Sequence, residues 1–153
     1  MDARTMSVCL LVAGACLGQV GFPLRAAAQA PAPQIEELWL VDAATDTRLV
    51  RIDDYQNLDL AFLPEQLSVE AVASVGTGSV RFAVDDVPGA LENLEPYALG
   101  GDSLGDFVPV PALRQPGWIR ISATPYGAEN GTGPVGQTFT RRFYRLRTDY
   151  VVD

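Results

Sequence analysis

In Val80-Arg81-Phe82-Ala83-Val84-Asp85 the bulky apolar residues fall on every second position. A strand turns successive side chains to opposite faces, so Val80, Phe82 and Val84 share one face and Arg81, Ala83 and Asp85 the other. The same period recurs upstream, where Leu67, Val69, Ala71 and Ala73 alternate with Ser68, Glu70 and Val72. It recurs downstream too, where Ile119, Ile121 and Ala123 alternate with Arg120, Ser122 and Thr124. Each stretch reads as a half-buried strand. Between the first two, Gly76-Thr77-Gly78-Ser79 predicts a reversal, because glycine reaches positive φ without steric cost, and hence a hairpin joining 67–73 to 80–85.

Outward from this centre the pattern continues. Glu37 to Val41 and Leu49 to Ile52 are β-prone runs separated by Asp42 to Arg48, whose Asp and Thr residues suit a turn, and they predict a first hairpin. Near the other end Phe139, Arg141, Phe143 and Arg145 interleave with Thr138, Thr140, Arg142 and Tyr144, a strand whose buried face is ambiguous. No segment carries a sustained helical period with caps, and strand-like runs recur about every 10 to 15 residues. The expectation is an all-β fold: an antiparallel β-sandwich of about seven strands with Greek-key connections. Trp39, Val69, Phe82, Val84, Tyr97, Ile119, Ile121 and Phe143 are the expected inward residues.

Length and composition agree with one such domain. The chain has 153 residues, 48% hydrophobic and 20% charged, with 14 Gly and 11 Pro, the balance of a folded domain rich in turns. Its amino terminus differs in composition. Arg4 precedes an apolar run from Val8 to Val20, and Ala26 and Ala28 supply the small residues that a signal peptidase reads. Residues 1–28 are therefore expected to be a cleaved secretory signal, 29–34 a linker, 35–147 the sandwich and 148–153 a tail. The apolar run falls short of the roughly 20 residues needed to span a bilayer, so no membrane insertion is expected after cleavage. Both cysteines, Cys9 and Cys16, lie within the signal, which leaves the mature domain without a disulfide framework. Ala13-Gly14-Ala15-Cys16 has the small residues of a lipoprotein cleavage site but lacks Leu three positions ahead of the cysteine.

Charge acts by exclusion. There is no His, and 11 basic residues, all Arg, face 19 acids for a formal net charge of -8. Such a field repels polyphosphate, so nucleic acid is not an expected partner.

Three stretches then carry a resemblance. They are Val80-Arg81-Phe82-Ala83-Val84-Asp85-Asp86, Glu92-Asn93-Leu94-Glu95-Pro96-Tyr97-Ala98-Leu99-Gly100-Gly101-Asp102, and Gly117-Trp118-Ile119-Arg120-Ile121-Ser122-Ala123-Thr124-Pro125-Tyr126. Together with the Gly-rich turn Asn130-Gly131-Thr132-Gly133, they resemble the successive strands of a bacterial immunoglobulin-like (Big-type) domain of secreted and cell-surface proteins. Asp86 stands where that family usually has Gly, and Ile121 replaces a common Leu. The resemblance implies an immunoglobulin-like fold and a non-catalytic module, secreted or periplasmic, that serves an envelope protein or an extracellular polysaccharide. It transfers no active site and no cofactor.

The candidate chemistry is sparse. Glu92, Glu95, Asp102 and Asp106 lie in one loop region, but paired carboxylates need tuned spacing and pKa values to hydrolyse glycosides, and no nucleophile and base arrangement accompanies them. Asp102 and Asp106, with Asp85 or Asp86, form a candidate Ca²⁺ site of hard oxygen ligands, though their spacing is not that of an EF-hand loop. Trp118, Tyr126 and Tyr144 are candidate carbohydrate-stacking residues. Arg141, Arg145 and Arg147 share one strand face and Arg142 takes the other, which predicts an exposed arginine stripe. Asn130-Gly131-Thr132 has the form of a glycosylation acceptor and is read as a turn.

Overall fold

Strands with one apolar face become stable when those faces meet, and the computed structural model, which describes residues 31–148, shows how they do so. The expectations for the signal 1–28, for Cys16 and for residues 149–153 lie outside the described residues. The chain runs through β1 (Ile35–Asp42), β2 (Thr47–Arg51), β3 (Asn57–Asp59), β4 (Leu67–Ala73), β5 (Ser79–Val84) and β6 (Val87–Glu92). It continues through β7 (Tyr97–Ala98), β8 (Asp102–Ser103), β9 (Asp106–Phe107), β10 (Gly117–Ala128), β11 (Thr132–Val135) and β12 (Phe139–Leu146).

One sheet has the order β2-β1-β4-β7, the other β3-β12-β10-β5-β6 with β11 beside β10, and β8 and β9 form a ribbon of their own. All the pairings are antiparallel except β3 with β12. The chain passes from the first sheet to the second for β3, returns for β4, crosses again for β5 and β6, returns for β7 and crosses once more before β10, which is the expected Greek-key path. The first hairpin is present as β1 and β2. Between the sheets lies one apolar layer, in which Leu38, Leu40, Val69, Phe82, Ile121 and Phe143 are wholly or almost wholly buried. Each such side chain contributes about 1.5–3 kcal/mol relative to exposure.

Several local expectations change. The segments 67–73 and 80–85 do not form a hairpin, because β4 and β5 belong to opposite sheets and are joined by an arch. Two strands with apolar inner faces satisfy the alternation equally well beside or across from each other, so the pattern alone does not choose. The arch is clamped where Tyr97 donates its hydroxyl to the Thr77 carbonyl at 2.8 Å and Gly78 donates its N–H to the Tyr126 carbonyl at 2.8 Å. A Cβ at Gly78 would lie 2.6 Å from the Ala128 backbone, so this approach requires glycine.

Trp39 is not in the core. Leu38 and Leu40 take the inward positions of β1, and Trp39 sits half-buried on the outer face. There its indole N–H donates to the Glu37 carboxylate at 2.7 Å, and the Arg48 guanidinium lies 5.6 Å over its ring. Val84 is half-buried at the margin of the core. Residues 107–110 stay with the first sheet. Phe107 packs with Val41, Ala43 and Ala98 on its outer face, and Val110 donates its N–H to the Leu67 carbonyl at 2.7 Å. The crossing falls to the short 3-10 turn Pro111–Arg114, whose Arg114 donates to the Leu60 carbonyl at 2.9 Å and pairs with Glu65 at 2.8 Å.

The exposed arginine stripe does not exist. The face of β12 that carries Phe139 and Phe143 points inward, and Arg145 goes in with it, only 5% exposed. Its guanidinium donates to the carbonyls of Gly117 at 3.2 Å, Trp118 at 3.2 Å and Ala112. Burial lowers its pKa, against an opposing pull from Asp85. Arg141 folds its guanidinium 3.9 Å over the Phe139 ring at the rim, while Arg147 is exposed. Arg145→Ala is expected to lower stability by about 3 kcal/mol in chemical denaturation, because three carbonyls lose a charged donor inside the fold. Arg145→Lys is expected to recover only part of that loss, since an ammonium does not reproduce the planar fork.

Candidate binding face on the second sheet

Because Ile119, Ile121 and Ala123 are buried, the alternating residues of β10, Trp118, Arg120, Ser122, Thr124 and Tyr126, all lie on the outer face of the second sheet. Burial of Phe143 and Arg145 does the same for Thr140, Arg142 and Tyr144 on β12. Antiparallel register then sets Trp118 opposite Tyr144, Arg120 opposite Arg142 and Ser122 opposite Thr140. The three aromatic residues expected to stack on sugars thus share one face, but only two of them meet.

Trp118 and Tyr144 pack edge to face, with ring centroids 5.3 Å apart at 64°. A third ring, Tyr55, meets Trp118 at 6.2 Å and 77°. Trp118 is 46% exposed and Tyr55 68%, whereas Tyr144 is half-buried. Tyr55 belongs to the turn before β3, at a positive φ of 59°. Its N–H donates to the Arg142 carbonyl at 2.6 Å, while the Arg142 N–H donates to the Asp54 carboxylate at 3.0 Å, so the turn is stitched along the edge of β12. Sequence reasoning passed over Tyr55 because it belongs to no alternating run. The available signal was an aromatic residue set between Asp53-Asp54 and Gln56, with no apolar pattern to draw it inward.

Tyr126 lies eight residues further along β10, about 27 Å away at the usual strand rise, and is half-buried. Between the two ends runs a row of paired hydroxyls, Ser122 with Thr140 at 2.9 Å and Thr124 with Thr138 at 2.8 Å. Beside Trp118 a shallow depression of about 280 Å³ is lined by Asp85, Ile119, Arg120 and Arg142. The Arg120 side chain forms an ion pair with Asp86, and its backbone N–H donates to the Asp85 carboxylate at 2.9 Å.

The acids proposed for Ca²⁺ are not brought together as a set. Asp85 and Asp86 occupy the β5–β6 turn and are engaged by Arg120, whereas Asp102 and Asp106 belong to the β8–β9 ribbon, where the Asp102 carboxylate accepts the Gly105 N–H at 2.7 Å. Among the described residues no group of three or more His, Cys, Asp or Glu side chains is placed to hold a metal ion. Asn93 accepts the Asn130 N–H at 2.6 Å, so it satisfies a loop amide of the neighbouring Glu129–Gly131 turn. Among the described residues no helix is long and apolar enough to cross a membrane.

No family model matches this chain, and no curated protein matches it. Among solved structures it is similar to the fibronectin(III)-like modules of Clostridium thermocellum CbhA, at 14% identity and a TM-score of 0.39. That match covers 74% of this chain and 48% of the other, so the chain spans about half the length of the solved structure. The chain's own strand order supplies the class. β1, β4 and β7 stand where strands A, B and E stand, and β5, β10 and β12 where C, F and G stand, so this is an immunoglobulin-like β-sandwich.

A carboxyl at the end of β6 in the second sheet yields a test of the local electrostatics. Burial, with a further contribution from the Asp102 charge, raises the Glu92 pKa above the ordinary carboxylate value. The folded state therefore binds this proton more tightly than the unfolded state. The resulting penalty develops as pH rises from the ordinary value through the raised one, and it persists at neutral pH. Glu92→Gln is expected to raise Tm by about 2 °C at pH 7 and to give no gain at pH 3, where the carboxyl is protonated in both states.

Proposed function

We propose that the domain is a non-catalytic accessory module of an exported protein, holding a partner at the cell envelope against the outer face of its second sheet. The observation that carries this reading is the cluster in which exposed Tyr55 and Trp118 meet half-buried Tyr144. Large aromatic rings at a surface anchor interfaces well, since they offer much contact area for few rotatable bonds. The resemblance of residues 35–146 to bacterial immunoglobulin-like domains and the signal-like composition of residues 1–28 support secretion or a periplasmic address. The lack of His throughout and of Cys beyond residue 16 supports a role other than catalysis.

The second reading is a carbohydrate-binding module. It draws on the alignment of Trp118, the hydroxyl pairs and Tyr126 along one strand, a flat polar track with an aromatic ring at each end. Both readings use one face and part on the partner. The test is a screen of the domain against immobilised polysaccharides and against envelope proteins, repeated with Trp118→Ala and Tyr126→Ala. Trp118→Ala is expected to weaken the interaction at least about tenfold without lowering Tm appreciably, and a requirement for Tyr126 as well would assign the whole track to a glycan. Binding that survives Trp118→Ala unchanged would remove this face from the function.

A further inference from the structure

Arg142 is held in an unusual way. Its guanidinium lies 4.7 Å over the ring of Trp118, and among the described residues it has neither a carboxylate partner nor a side-chain hydrogen bond. Its neighbours are otherwise committed. Arg120 is neutralised by Asp86, and Asp54 accepts the Arg142 backbone N–H while its other oxygen lies 3.7 Å from Arg141. Stacking on an indole engages the π surface of a guanidinium and leaves its N–H groups available, and their fork matches the two oxygens of a carboxylate. The protein therefore presents a partly ordered, unsatisfied carboxylate receptor at the mouth of the depression beside Trp118, flanked by Tyr55 and Tyr144.

We infer that this site binds a uronic-acid residue of an extracellular polysaccharide, with Arg142 taking the sugar carboxylate and the exposed parts of Trp118 and Tyr55 contacting the ring. The inference rests on the carbohydrate reading above and names its chemistry. Two observations favour an acidic glycan over an acidic peptide. The edge of β12 at residues 142–146 is occupied by β3 and the turn before it, so no peptide strand can add there. The surface leading away from the site also consists of paired Ser and Thr hydroxyls, suited to sugar hydroxyls and offering no apolar pockets for side chains. Charge limits the ligand further. Asp85 lines the site, Asp86 pairs with Arg120 beside it and the whole chain carries -8, so repulsion grows with the charge density of the ligand and disfavours a sulfate or phosphate polymer more than a uronate, whose carboxylate can face Arg142.

The experiment is titration calorimetry of the domain with oligogalacturonate, oligoglucuronate and oligomannuronate, each paired with its carboxyl-reduced counterpart, and with a glutamate-rich peptide. At least one acid form is expected to bind, with carboxyl reduction and Arg142→Gln each weakening it about tenfold or more and Arg142→Lys recovering only part of the loss. Thermal melts establish that each variant is folded, and Arg147→Gln, a nearby exposed arginine, is expected to bind as the parent does. Equal binding of acid and reduced forms would overturn the carboxylate role of Arg142 while leaving carbohydrate recognition standing. Binding of none of the acid forms, or tighter binding of the acidic peptide through Arg142, would overturn the inference.

Discussion

The two-residue period of β10 and β12, fixed by burial against the first sheet, governs the rest of the molecule. Ile119, Ile121, Ala123 and Phe143 are at most 2% exposed, so a slip of one residue would drive Trp118, Arg120 and Arg142 into an apolar layer and turn the core residues to water. The core thus holds the register, and the register composes the outer face. Trp118 meets Tyr144 because Ile119 meets Phe143 one position along the same ladder. A surface set in this way inherits the rigidity of the sandwich. The exception is Tyr55, which depends on the backbone bonds that tie its turn to Arg142 and Asp54.

The same parity forces an arginine inside. Arg145 shares its face with Phe143, and the fold accommodates it because the carbonyls of Gly117, Trp118 and Ala112 converge on its guanidinium. Its contacts to Gly117, Trp118 and Ala112 join the start of β10 to the 3-10 turn that crosses between the sheets. Arg114, in that turn, makes similar use of the carbonyls of Leu60 and Leu63. Two guanidiniums thereby replace regular pairing where the chain changes sheets. At the opposite end neutral groups serve: the buried Ser79 hydroxyl donates to the Ala128 carbonyl at 2.6 Å and accepts the Gly131 N–H at 3.0 Å.

Acidic excess shapes how the remaining arginines are used. Arg48 pairs with Glu70, Arg51 with Glu37 and Asp53, Arg114 with Glu65, and Arg120 with Asp86. Exposed pairs of this kind contribute about 0–1 kcal/mol each, so their effect lies in balancing charge more than in stability. Arg142 differs from these in lying over an exposed indole without a carboxylate partner among the described residues. A cation so placed gives the outer face of the second sheet a chemical character that the first lacks, where Trp39 and Arg48 are both satisfied by glutamates.

The sequence by itself determined the all-β class, the Greek-key sandwich, most of the core and the fact that Trp118 and Tyr126 share one face of their strand, because alternation is local and each clearly alternating strand states its own faces. Tertiary structure decided which strands neighbour one another. It turned the 67–85 segment from a hairpin into an arch, moved Trp39 outward in favour of Leu38 and Leu40, and buried Arg145 rather than exposing it. These outcomes depend on which sheet each strand joins and on which carbonyls converge on a buried guanidinium, arrangements set by contacts between residues far apart in the chain. The gathering of Tyr55, Trp118, Arg142 and Tyr144 is of the same kind, since three separate segments meet there through the ladder between β10 and β12 and the turn stitched to its edge.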